Sequence, residues 1–275
     1  MSVTTGAVTS RDGTRIEYET SGSGFPLVLV AGAMGVKASS WQRGYANELA
    51  RSFRVFSYDR RGRGGSSDTK PYSIDREIED LEAVCAATGG QPIVVGLSSG
   101  AALVLEAAAS GAPMSAAVAF EPPYMVGSHR RPNHAQYEND VRTLVERGDR
   151  DGAVNLFMRT VGVPGFVLFI MRLMPMWKDL RRVAHTLPYD AAVMRGFELP
   201  SLRLRGIRVP TLVAGGGSSP ASLKAAVRAA AEAIPGAHLV EIPKQSHNVK
   251  PTALGTVVRG FAQGLSAVRA EPSLV

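Results

Sequence analysis

A single cysteine, Cys85, occurs in 275 residues. One thiol cannot build a disulfide framework or a cysteine metal site. It lies in the helix-like stretch IEDLEAVCAATG and reads as a core residue. Long apolar runs are also missing. The longest, 161–171, contains Gly and Pro and is too short to span a bilayer. The opening MSVTTGAVTSRDGT lacks the basic-then-apolar order of a secretory leader. A cytoplasmic protein with no membrane partner is therefore expected. There are no repeats and no low-complexity tracts. No His/Asp/Glu cluster has metal-ligand spacing. Gly215-Gly216-Gly217 follows a strand-like run but lacks the further spacing of a dinucleotide fingerprint, so it reads as a turn. No metal and no cofactor is implied.

A basic block is absent too, although the net charge is +7. The arginines are scattered: Arg60, Arg61 and Arg63, then Arg130 and Arg131, then Arg181 and Arg182. No aromatic residues are interleaved with them. A solvated surface is expected, without nucleic-acid binding. Apolar content of 45% and charged content of 20% describe an ordinary globule. The length suits one large domain or a domain with an insertion.

What is present is strand–helix alternation. Residues 14–20 alternate like a half-exposed strand. Buried strands are expected at 25–30 and 54–58, with helices at 41–51 and 73–88. A strand at 92–95, a helix after it and a strand at 116–120 continue the pattern. From Pro122 to about Arg208 only helix-like segments occur: 134–146, 151–160, 166–174, 177–185 and 189–196. Strands resume at 209–214 and 238–242, with helices at 221–234 and 252–265. The tail from Ala267 is expected to be loose. This order describes an α/β fold with a mostly parallel sheet and a helical insertion between two of its strands.

The chemistry concentrates at residues 92–110, PIVVGLSSGAALVLEAAAS. Pro92-Ile93-Val94-Val95 reads as a strand buried on both faces. Gly96-Leu97-Ser98-Ser99-Gly100 follows, then an Ala/Leu-rich helix. With 29 glycines in the chain, a bare G-x-S-x-G is a weak signal. The strand before it and the helix after it give it content. A sharp turn lifts the Ser98 hydroxyl above the sheet edge, and Gly96 and Gly100 remove side chains that would collide there. The helix then begins beside the serine, with free amides from Ser99 onward pointing toward developing negative charge.

With the glycine–serine turn, three further stretches carry a resemblance. YDRRGRGGSS at 58–67 resembles the D-x-R-G-x-G-x-S loop of the α/β-hydrolase superfamily. Ala31-Gly32-Ala33 sits where its His-Gly-x loop lies. Gln245-Ser246-His247-Asn248 sits where its catalytic histidine lies. The chain is similar to that superfamily over nearly its whole length. The resemblance implies a mostly parallel central sheet with helices on both faces and a helical cap inserted after the sixth strand. Residues 1–121 and 209–275 would form the core, and 122–208 the cap.

The same resemblance implies roles. Ser98 would be the nucleophile, and His247 its general base and then acid. The amides of Ser99 and Ala33 would form the oxyanion hole. Ala31 replaces the common His; the hole uses backbone amides, so this change need not abolish it. The other histidines, His129, His134, His185 and His238, read as structural or exposed. The family usually places an Asp after the strand at 211–214, but 215–220 holds no carboxylate. Its second location for the acid, after the strand preceding the cap, holds Glu121. That residue is either the acid behind His247 or a brace at the cap entry. A Ser–His dyad backed by water or Ser219 is the third arrangement. Asp59, beside the arginines, suggests a structural turn.

Serine at 98 argues against the dehalogenase and epoxide-hydrolase branches. In the cap, Phe157, Met158, Phe166, Phe169, Met171, Met174, Met176 and Trp177 are expected mostly to pack its own core. A few would face the cleft and favour an apolar acyl group. The expected activity is hydrolysis of a small-molecule ester or thioester through an acyl-serine. The other class is an acyltransferase or cyclase with the same pocket, or a catalytically silent binding protein. Oligomeric state is not legible.

Overall fold

The structure is a computed structural model that describes residues 2–129 and 132–270. Arg130 and Arg131 lie outside the described residues, as does the last part of the expected loose tail, 271–275. Eight strands form one sheet: β1 (Val3–Thr9), β2 (Arg15–Ser21), β3 (Pro26–Val30), β4 (Arg54–Tyr58), β5 (Ile93–Leu97), β6 (Ala116–Phe120), β7 (Thr211–Gly216) and β8 (His238–Ile242). Their order is β1-β2-β4-β3-β5-β6-β7-β8. β1 and β2 form an antiparallel hairpin, and β2 runs antiparallel to β4. All later pairings are parallel.

The central strands β5, β6 and β7 are buried along their whole length, which their unbroken apolar runs anticipate. Successive side chains serve opposite faces. Val28, Val30, Val94, Ala117 and Val213 join one apolar layer, beneath α2 (Ile74–Ala87), α3 (Ser99–Ala109) and α10 (Ala221–Ala233). Leu27, Leu29, Val95, Val118 and Leu212 join the other, beneath α1 (Ser40–Leu49) and α11 (Pro251–Ala270). Each fully buried Leu, Val or Ile contributes roughly 1.5–3 kcal/mol. Ser39 and Ser73 cap α1 and α2 by accepting from the amides of Gln42 and Arg76. Cys85 is fully buried, and burial pushes its thiol up to about 12.

Two elements depart from expectation. β1 was not anticipated: VTTGAVT is polar, exposed and interrupted by Gly6. The glycine admits the Tyr18 ring, since a Cβ there would lie 2.5 Å from Tyr18 Cζ. α11 also runs past its expected end, through the first part of the tail expected to be loose.

Between β6 and β7 only helices occur among the described residues: α4 (Pro132–Glu146), α5 (Arg150–Thr160), α6 (Gly165–Arg172), α7 (Met176–Val183), α8 (Leu187–Val193) and α9 (Ser201–Leu204), with short 3-10 turns. They share an apolar cluster that includes Tyr137, Val141, Val154, Trp177, Leu187 and Phe197. Met34, from the loop after β3, enters this cluster from the sheet side. The cap aromatics and methionines divide. Trp177 is buried, and Phe157, Met158 and Met171 pack partly buried against the cluster. Phe166, Phe169, Met174 and Met176 are instead exposed, so core packing fails for these four.

Candidate active site

Ser98 stands where β5 turns into α3, with φ 54° and ψ −121°. Such a conformation is strained by about 1–3 kcal/mol and persists only where its surroundings over-determine it. Here its N–H donates to Phe120 O (2.9 Å), and its carbonyl accepts from the Ala101 N–H (2.8 Å). The two glycines are steric necessities. A Cβ on Gly96 would lie 2.3 Å from Gly100 O, and one on Gly100 would lie 2.5 Å from Ala31 O. Ser98 is half-buried between the buried Leu97 and Ser99.

The loop after β3 lies against this turn. A Cβ on Gly32 would come within 3.2 Å of Ser98 Cβ, so glycine lets the loop approach the serine. The next amide, of Ala33, donates to no protein acceptor among the described residues. The Ser99 amide opens α3 and is one of its unpaired first-turn donors. Both amides thus belong to segments that border the serine turn.

Glu121 ends β6 with φ 48°, and its N–H donates to Ala214 O (2.9 Å). Its side chain is fully buried. One carboxylate oxygen accepts from Gly216 N (2.7 Å) and Ser219 Oγ (2.5 Å). The other lies 2.7 Å from His247 Nδ1. Burial works to raise the pKa of Glu121, but the hydrogen bonds from His247, Ser219 and Gly216 outweigh it and hold the carboxyl below its ordinary value. The glycine-rich loop after β7 makes this possible. A Cβ on Gly216 would lie 2.4 Å from Gln245 O, so glycine alone lets that loop press on the histidine turn.

His247 sits in the turn between β8 and α11. Gln245 Oε1 accepts from Lys250 N (2.9 Å), and Tyr45 Oη donates to Val249 O (2.6 Å), which ties the turn to α1. The His247 side chain is 41% exposed. Ser98 and His247 share no hydrogen bond in this geometry; in unliganded sites such contacts are often long and tighten with substrate. Ser219, considered above as a partner of the histidine, bonds to Glu121 instead. His238 packs its ring on Phe261, and His185 Nδ1 lies 3.1 Å from Arg182 O.

The arginines of the 58–67 loop overturn the expectation of a solvated surface. Arg60, Arg61 and Arg63 are at most 1% exposed. The reason is charge pairing with buried carboxylates. Arg60 binds Glu77 Oε1 (2.5 Å) and Asp190 Oδ1 (2.7 Å). Arg61 grips both oxygens of Asp80 (2.7 and 2.8 Å) and reaches Asp12. Arg63 binds Asp190 Oδ2 (2.7 Å) and donates to Gly32 O (2.8 Å). Asp59 is a turn-builder, as expected: it accepts from Lys37 N (2.7 Å), Lys37 Nζ (2.8 Å) and Gly65 N (2.9 Å).

Asp190, on α8, is the residue that sequence reasoning missed. It accepts from Arg60, Arg63 and Ser99 Oγ (2.8 Å). Burial works against its charge, yet Arg63 and Arg60 hold its pKa below the ordinary value. Through it the insertion touches the serine turn directly and, by way of Arg63, the Gly32 loop. No local signal marks an acid in LPYDAAV; only its distant partners do. Among the described residues no group of three or more His, Cys, Asp or Glu is arranged to hold a metal ion.

A mostly parallel sheet, a strained serine between two glycines and a carboxylate–histidine pair brought together from the ends of β6 and β8 across β7 define an α/β-hydrolase architecture. The chain belongs to the Alpha/beta hydrolase family, whose family model matches residues 27–253. An alpha/beta hydrolase from Sphaerobacter thermophilus has a crystal structure similar to this one, at 44% identity and TM-score 0.86, covering 94% of this chain and 100% of that one. A proline iminopeptidase of Pestalotiopsis fici is 30% identical over 36% of this chain and 34% of its own length. A non-heme haloperoxidase of Rhodococcus erythropolis is 31% identical over 46% of this chain and 47% of its own. The matched region thus spans between a third and half of these two curated relatives.

Proposed function

We propose that the protein is a serine hydrolase that cleaves a carboxylic ester or thioester through an acyl-serine. The observation that carries this reading is the buried Glu121 carboxylate 2.7 Å from His247 Nδ1. It keeps the proton on Nδ1 and leaves Nε2 free as a base. Ser98 Oγ attacks the acyl carbon, and its proton passes to Nε2. The carbonyl oxygen becomes an oxyanion, held by the amides of Ser99 and Ala33; each such donor contributes roughly two orders of magnitude or more in rate. Collapse expels the alcohol or thiol, which takes the proton from His247. Water then attacks the acyl-serine, with His247 again as base, and releases the acid and Ser98. The half-exposed His247 ring is within reach of water, which supports hydrolysis over transfer. The chemistry requires no cofactor.

Residues 122–208 act in this reading as the cap over the acyl site. Met34, adjacent to Ala33, belongs to the cap's apolar cluster, which supports an apolar acyl group. The test is covalent labelling by a fluorophosphonate together with turnover of p-nitrophenyl esters from acetyl to octanoyl. Labelling at Ser98 is expected, absent in Ser98→Ala, with turnover of that variant down by roughly 10³-fold or more. Each added methylene should improve kcat/KM by at most about fourfold, equivalent to ~0.8 kcal/mol, until the cleft is full. A folded Ser98→Ala variant that keeps more than about a tenth of wild-type rate sinks the acyl-serine mechanism.

A further inference from the structure

The exposed apolar side chains of the insertion are not scattered. Phe166, Phe169, Ile170 and Leu173 are 71%, 66%, 54% and 76% exposed. Their spacing is i, i+3, i+4 and i+7, so they line one face of α6 and its last turn. Leu168, on the opposite face, is buried, and α6 packs against its neighbours α5 and α7. Val161 and Met174, just before and after the helix, are also exposed, at 51% and 48%. Single exposed apolar residues need no explanation; a continuous stripe of large ones marks an interaction surface.

The charge around the stripe is of one sign. Residues 152–178 contain no Asp or Glu but hold Arg159, Arg172 and Lys178. None of these three pairs with a carboxylate among the described residues, and all are exposed. Arg172 lies over the Trp177 ring at 5.6 Å. The acids that flank this stretch in sequence are already engaged: Asp151 by Trp177 Nε1 and Arg181, and Asp179 by Arg182. A second copy docked stripe to stripe would set these cations against each other with no carboxylate from 152–178 to meet them. An apolar stripe rimmed by unpaired cations matches the boundary of an anionic bilayer, where acyl chains lie beneath phosphates.

We propose that the exposed face of α6 is a membrane-docking surface that seats Phe166, Phe169, Ile170 and Leu173 in the interfacial layer of an anionic lipid bilayer. Arg159, Arg172 and Lys178 meet the headgroup phosphates, with their alkyl stems along the apolar layer. α6 has 8 residues and, at ~1.5 Å per residue, is far too short to cross a hydrocarbon core of ~30 Å, so it lies in the surface plane. No described helix is long and apolar enough to span. The test of this surface does not depend on turnover.

The experiment is sedimentation of the full chain with vesicles of phosphatidylcholine alone and of phosphatidylcholine mixed with phosphatidylglycerol. Each cation near an anionic surface strengthens binding about fivefold, so three should favour the mixed vesicles by roughly a hundredfold, and high salt should remove that preference. Phe166→Ser with Phe169→Ser should weaken binding at least about tenfold, and Arg172→Gln with Lys178→Gln should weaken it on mixed vesicles only. All four side chains are exposed, so melting temperatures should stay at the wild-type value. Equal binding to both vesicle types, no binding to either, or binding unaltered in the phenylalanine variant overturns the proposal. So does a wild-type dimer in solution that the phenylalanine variant converts to monomer.

Discussion

Glu121→Gln tests the proposed role of Glu121 as the acid behind His247, with minimal change of shape. The amide oxygen of Gln can still accept from Gly216 N and Ser219 Oγ, the two partners of one carboxylate oxygen in the wild type. The other end would then present an N–H to His247 Nδ1, where a carboxylate oxygen now sits at 2.7 Å. Two unit charges about 4 Å apart interact by about 4 kcal/mol at an effective dielectric near 20. The His247 side chain is 41% exposed. Solvent therefore screens part of this and leaves about 3 kcal/mol for the imidazolium formed during turnover, or roughly a hundredfold in rate. The inverted tautomer adds to the loss, so kcat should fall roughly 10²–10⁴-fold. KM should change less than about threefold, because Glu121 stands behind the histidine and away from substrate. Stability supplies a second readout. A carboxylate whose pKa is lowered on folding stabilises the fold fully above its unfolded value of 4.5 and loses that contribution as pH falls through the folded value. The melting-temperature gap between wild type and Glu121→Gln should therefore be widest above pH 4.5 and narrow below it. Steady-state kinetics on a soluble ester and thermal scans from acid to neutral pH measure both. A saturated kcat within about threefold of wild type would remove Glu121 from the mechanism. A raised KM and lowered melting temperature with normal kcat would make it a brace for the insertion.

Two further outcomes test the surroundings of the site. Asp190→Asn leaves the buried guanidinium groups of Arg60 and Arg63 without their shared carboxylate. It should destabilise the protein by roughly 3–5 kcal/mol and lower the melting temperature by roughly 10 °C; an unmoved denaturation midpoint would show that the pairing carries no net stability. Cys85 is fully buried with its thiol pushed up to about 12, so an aromatic disulfide reagent at neutral pH should modify it only after denaturant is added. Immediate reaction of the native protein would contradict the packing around α2.

What the sequence determined by itself was local. The turn at Ser98 was legible because its constraint is steric and short-range: Gly96 meets Gly100, and Gly100 meets the loop after β3. The buried strands were legible because a parallel sheet covered on both faces demands unbroken apolar runs. The β1 edge was not, since an exposed, glycine-broken strand carries no such demand and is fixed by pairing with β2 and by contact with α2. Tertiary structure alone decided the fate of the charges. Arg60 and Arg63 read as surface residues in sequence, because their partner Asp190 lies 130 and 127 positions away. Burial is affordable for a guanidinium only when folding delivers a carboxylate to it. The same holds for Glu121, whose partner His247 arrives from 126 residues along the chain. It holds again for α6, where the period of the apolar residues was written in the sequence. Which side would face α5 and α7, and which would face solvent, was set by packing.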